Sequence, residues 1–87
     1  MTSREVIFKG RVQGVGFRCT ARDIARDLGV TGSVKNCPDG AVRLVASGEE
    51  AQVEELIRRL LAQFTVHEKL ESLVPAGYRY EDFEIEY

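Results

Sequence analysis

The stretch from Val30 to Glu50, VTGSVKNCPDGAVRLVASGEE, decides the architecture. Val30 to Asn36 reads as a strand. Cys37-Pro38-Asp39-Gly40 then carries a turn signature, with proline early and glycine late. Ala41 to Ser47 reads as a second strand, in which Val42 and Leu44 alternate with Ala41 and Arg43. Two strands joined by so tight a turn form a hairpin. Ser47-Gly48-Glu49-Glu50 fits the S-x-x-E capping box, which predicts that a helix begins where the hairpin ends.

Downstream, Val53, Leu56, Ile57, Leu60, Leu61 and Phe64 form one apolar face of that helix. Its glutamates (Glu49, Glu50, Glu54, Glu55) precede Arg58 and Arg59, the order that suits a helix dipole. Upstream, Phe17, Ala21, Ile24 and Leu28 recur at i, i+4, i+7 and i+11, and Gly29 is the expected stop. Before that helix, Glu5 to Gly10 reads as a strand with Gly10 ending it. Toward the C-terminus, Leu70 to Val74 reads as a short strand stopped by Pro75-Ala76-Gly77. Phe83, Ile85 and Tyr87 alternate with Glu84 and Glu86 in a half-buried strand. The predicted order is β-α-β-β-α-β plus one short strand. The expected fold class is α+β, a ferredoxin-like sandwich in which an antiparallel sheet carries two helices on one face. No linker interrupts it, so residues 1–87 are expected to form a single domain.

Hydrophobic residues make up 44% of the 87 and charged ones 30%, the balance of a chain that folds around its own core. The formal net charge of −2 lacks the basic excess of a nucleic-acid binder. RNA-recognition domains share this order of elements, but they stack bases on aromatics in their central strands. The strand Ala41 to Ser47 has none, and no nucleic-acid partner is expected. No apolar run approaches the ~20 residues of a membrane span, and no basic segment leads into an apolar one near the N-terminus. A cytoplasmic location, no membrane contact and a monomeric state are expected. Cys19 and Cys37 form neither a CxxC nor a Cys/His cluster, so no structural zinc site is read, and two free thiols are the default in a reducing compartment. The only histidine, His67, reads as a surface residue.

Chemistry concentrates in two short segments. Gly14-Val15-Gly16-Phe17-Arg18 gathers backbone N–H groups at a helix N-terminus, where they have no partner inside the helix and the dipole adds positive charge. That combination suits a phosphate. Arg18 adds a permanent charge and a planar fork of donors. A tight turn beside a surface arginine would look similar. The dinucleotide fingerprint is not met, because Cys19 stands where its third glycine is required, and no GK[ST] of a Walker loop is present. The second segment ends in Asn36. A neutral side chain that both donates and accepts can hold a water in one orientation, although asparagine also opens ordinary turns.

Residues Phe8 to Arg18, FKGRVQGVGFR, closely resemble the phosphate loop of the acylphosphatase family. Residues Gly32 to Gly48, GSVKNCPDGAVRLVASG, resemble that family's second signature. The resemblance implies that the amides of Val15, Gly16, Phe17 and Arg18, with the Arg18 guanidinium, bind a substrate phosphate. It implies that Asn36 orients the attacking water, making Arg18 and Asn36 the catalytic pair. The implied substrate is a small acyl phosphate, a carboxyl–phosphate mixed anhydride, and the implied reaction needs no metal or cofactor. An acyl phosphate has a good leaving group, so positioning and charge stabilisation can carry much of the reaction. The family usually has an aromatic residue where Ser33 stands, and its loss is expected to loosen packing under the site or alter the acyl pocket. The alternative function is a non-enzymatic module that binds phosphate or another anion for regulation.

Overall fold

The computed structural model describes residues 1–74 and 80–87. Its elements run β1 (Thr2–Arg11), α1 (Phe17–Leu28), β2 (Thr31–Asn36), β3 (Val42–Gly48), α2 (Glu50–Gln63), β4 (Thr65–Leu73) and β5 (Phe83–Glu86). The strands form one sheet in the order β4-β1-β3-β2-β5. All neighbours are antiparallel except β2 and β5, which run parallel in register from Gly32 opposite Phe83 to Lys35 opposite Glu86. The ferredoxin-like α+β arrangement is therefore present, but the sheet is mixed. β4 and β5 occupy opposite edges, and the chain enters the second edge in the same direction as β2.

Alternation along the strands assigns the faces. Val6 and Phe8 of β1, Val34 of β2 and Val42, Leu44 and Ala46 of β3 share one face. They pack with Phe17, Ala21 and Ala25 of α1 and Val53, Leu56, Ile57 and Leu60 of α2. Phe17 links the layers through tilted ring contacts with Phe8, centroids 5.1 Å apart, and with Phe64, 4.8 Å apart. Leu61, expected on the inner face of α2, is 39% exposed, while Ala25, between the expected positions of α1, is fully buried. Asn36 pairs opposite Val42 and so lies on the helix-covered face at the end of β2.

Local departures from the sequence reading have identifiable causes. β1 runs past Gly10 to Arg11, with a register shift between Lys9 and Gly10 against β4. A Cβ at Gly10 would stand 2.5 Å from the Thr65 carbonyl oxygen, so glycine here permits close approach of two strands and does not end one. The capping box does not form. Ser47 stays in β3, where its hydroxyl is 2.7 Å from that of Ser3, and α2 begins behind an extended Glu49 with no side-chain cap. β4 begins at Thr65, five residues before the expected strand. The expected stop at Pro75-Ala76-Gly77 lies outside the described residues. Ser33 faces away from the helices. It pairs opposite Val45 and is 2% exposed, with its hydroxyl 3.2 Å from the Tyr80 hydroxyl. A small side chain thus meets a tyrosine from another segment, so Ser33 is packed, and it is packed on the face opposite Asn36.

Candidate active site

The segment between β1 and α1 is pinned at both ends. Val12 and Phe17 are buried at 1% and 2% exposure, while Gly14, Val15 and Gly16 between them are exposed. Gly14 and Gly16 have φ of 74° and 81°. Gly16 is the N-cap of α1, and its carbonyl accepts the first helical bond from Thr20 N–H at 3.1 Å. A Cβ at Gly16 would meet nothing within 4 Å, so the glycine is required by its left-handed backbone and not by crowding.

This geometry leaves donors free. The N–H groups of Val15, Gly16, Phe17 and Arg18 donate to no other group among the described residues. α1 has no side-chain cap and no acidic residue in its first turn, so neither device offsets the positive end of its dipole. Among the described arginines, Arg11 and Arg18 are the two without a carboxylate partner; Arg4, Arg22, Arg26, Arg43, Arg58 and Arg59 all have one. Arg18 is half-buried, and its guanidinium carbon lies 5.1 Å from the centre of the Tyr87 ring. That contact limits its rotation and leaves its hydrogen-bond donors unspent.

Asn36 joins this loop through a residue that sequence reading passed over. The Gln13 side-chain nitrogen donates to the carbonyl oxygens of Cys37 and Ala41, each at 2.8 Å. Gln13 precedes Gly14 and Cys37 follows Asn36, so these bonds hold the loop against the end of the β2–β3 hairpin. The hairpin is closed by Cys37 N–H to Ala41 oxygen at 2.8 Å and by Gly40 N–H to Cys37 oxygen at 3.1 Å. Asp39 Oδ1 accepts from Ala41 N–H at 3.1 Å, which fixes the tip. Next to this junction the Asn36 Oδ1 is buried and has no hydrogen-bond partner among the described residues. A buried carboxamide oxygen left without a donor is costly.

Of the sequence-predicted site residues, Val15, Gly16, Phe17 and Arg18 lie in the loop and the first turn of α1, and Asn36 ends β2, joined to the loop through the Gln13 bonds to Cys37 and Ala41. His67 is exposed on β4. Cys19 and Cys37 are free thiols, the first exposed and the second half-buried. No group of three or more metal-binding side chains occurs among the described residues, and no helix there is long and apolar enough to cross a membrane.

The acylphosphatase family profile matches residues 4–85. An acylphosphatase of Lactobacillus gasseri is 56% identical over 57 residues, 66% of this chain and 63% of that protein, so the match spans less than two thirds of that relative's length. An acylphosphatase of Thermoplasma volcanium is 38% identical over 87 residues, covering 98% of this chain and 97% of that one. The crystal structure of acylphosphatase from Bacillus subtilis superposes with a TM-score of 0.86 at 33% identity, covering 100% of both chains. With a family match over nearly the whole chain and a relative of nearly equal length, the chain belongs to the acylphosphatase family.

Proposed function

We propose that the protein is an acylphosphatase, an enzyme that hydrolyses the carboxyl–phosphate bond of small acyl phosphates to a carboxylate and inorganic phosphate. One observation carries this reading: an uncapped helix N-terminus is fastened to a strand end, and among the described residues its amides and the buried Asn36 oxygen have no partner. The substrate phosphate sits on the amides of Val15, Gly16, Phe17 and Arg18 and on the Arg18 guanidinium. These donors suit an oxyanion and keep their positions through the reaction. Asn36 holds a water toward phosphorus. The water oxygen bonds to phosphorus, the bond from phosphorus to the acyl oxygen breaks, and the carboxylate leaves with the electron pair. The substrate's own phosphate takes the water's proton; Asp39, the carboxylate of the second motif, is engaged at Oδ1 by Ala41 N–H at the hairpin tip. Two free cysteines suit a reducing compartment, and we place the enzyme in the cytoplasm as a monomer that binds no nucleic acid.

The test is hydrolysis of benzoyl phosphate in excess EDTA, wild type beside Arg18→Ala. Turnover by the wild type and its collapse in the variant are expected. A folded wild type that binds inorganic phosphate yet hydrolyses no acyl phosphate would overturn the enzymatic reading and favour an anion-binding module.

A further inference from the structure

Among the described residues, Gln13 is the side chain that couples the two halves of the site by hydrogen bonds. Its carboxamide nitrogen has two protons, and each has a carbonyl, on Cys37 and on Ala41, at 2.8 Å. Each of those carbonyls already accepts a backbone N–H, from Gly40 and from Cys37 respectively. Gln13 therefore fills the remaining lone pair of both, and few other side chains could do so. A carboxylate offers no proton to either oxygen, and a hydroxyl offers one. The bonds reach the residue directly after Asn36 from the residue directly before Gly14. The register of Asn36 against the loop amides is thus held by a side chain that need not touch substrate.

We infer that Gln13 is a positioning residue for the attacking water, acting through Asn36. The inference rests on the reading that Asn36 orients that water. It separates two properties that share one site. Phosphate binding depends on the loop amides and Arg18, all carried by the loop and the first turn of α1. Alignment of the water depends on where the hairpin end stands relative to that turn, and misplacement by a fraction of an ångström is enough to slow a reaction that relies on positioning.

The experiment is a double-mutant cycle on kcat for benzoyl phosphate, with the Kd for inorganic phosphate measured on every variant. Gln13→Met, close in length and without donors, is expected to lower kcat about 10–10²-fold while the phosphate Kd stays within roughly twofold of wild type. Gln13→Glu, equal in length and with a carboxylate facing two carbonyl oxygens, is expected to lower kcat further. In the Asn36→Ala background, Gln13→Met is expected to change kcat by less than about twofold, because the residue through which it acts is gone. Gln13→Asn keeps the amide on a shorter arm and serves as the folded comparison if either longer variant fails to fold; its kcat is expected to fall with phosphate Kd retained. Wild-type kcat with only a lowered Tm in the Gln13 variants, beside a crippled Asn36→Ala, would overturn the inference alone. So would losses that multiply in the double variant, or a weakened phosphate Kd with kcat retained. An Asn36→Ala enzyme with wild-type kcat would remove the role of Asn36 itself and this inference with it.

Discussion

The two helices begin in opposite ways. α2 starts behind Glu49 with Glu50 in its first turn, and Arg4 of β1 binds both Glu50, at 3.1 Å, and Glu54. Its positive end meets the chain's own carboxylates, and those carboxylates are tied down in turn. α1 starts behind a left-handed Gly16 with no acidic residue and no side-chain cap, and the charge it does carry in that turn is Arg18, which repeats the sign of the dipole. A helix built only for stability would be expected to begin as α2 does. That α1 does not, while the N–H groups of Val15, Gly16, Phe17 and Arg18 donate to nothing among the described residues, fits the anion site proposed above.

The largest way to break this contrast is to remove the fixed charge. Arg18→Ala discards two charge-assisted hydrogen bonds of ~1.5–3 kcal/mol each, and kcat/KM for benzoyl phosphate is expected to fall on the order of 10²–10⁴-fold. Its Tm should change little, because the Arg18 side chain makes no ion pair among the described residues. A large drop in Tm with modest kinetic loss would instead make Arg18 a structural residue. Next in size is to make α1 resemble α2. Cys19→Glu places a carboxylate at an exposed position of the first turn of α1. KM for benzoyl phosphate and the Kd for inorganic phosphate are expected to rise on the order of tenfold, through repulsion and capture of Arg18. Thermal unfolding should show the folded state gaining roughly 0.3–1 kcal/mol from the dipole. An unchanged KM would mean that the anion does not sit at this helix end.

The same contrast explains which parts of the molecule were legible in the sequence. α1 was readable because Gly29 marks its end and Phe17 and Ala21 open an apolar period, although the buried Ala25 was missed. The hairpin was readable from its turn residues and from the buried Val42 and Leu44. Ser47 misled because a serine followed three places later by glutamate has the same spelling whether the serine caps a helix or pairs within a strand; the long-range contact with Ser3 decides for the strand. β4 was largely unreadable because it is an edge strand. Lys69 and Glu71 pair opposite Phe8 and Val6 on the helix-covered side, where an apolar residue would be expected. Their charges meet each other at 3.2 Å, and Arg4, distant in sequence, lies 3.6 Å from Glu71, so the charged edge has partners of its own. Arg18 and Asn36 were visible as motif residues. Gln13 stands in the same motif but its role was not legible, because its partners are backbone carbonyls, which leave no trace in the spelling of the chain.

At the α2 end the expected effects are smaller. Glu50→Gln removes the carboxylate of the first turn and one partner of Arg4, an exposed interaction. Loss of roughly 0.3–1 kcal/mol in unfolding free energy is expected, with kcat and KM unchanged. A change in kcat would show that the two helix ends are coupled after all.

Further along α2, hydrogen bonds from Arg58 and then Arg59 hold the Glu55 carboxyl below its ordinary 4.5, at about 2. A depressed carboxyl contributes stability that is fully present above its unfolded value and is lost as pH falls through the folded one. The advantage of wild type over Glu55→Gln in chemical unfolding should therefore be constant above about pH 5 and shrink between 4.5 and about 2. It should be small throughout, because the pair is exposed to solvent and screened by salt. Carboxyl NMR would place the titration directly. A midpoint near 4.5 would show that these arginines do not hold the carboxylate in solution, and that α2 settles its charges less completely than its contrast with α1 requires.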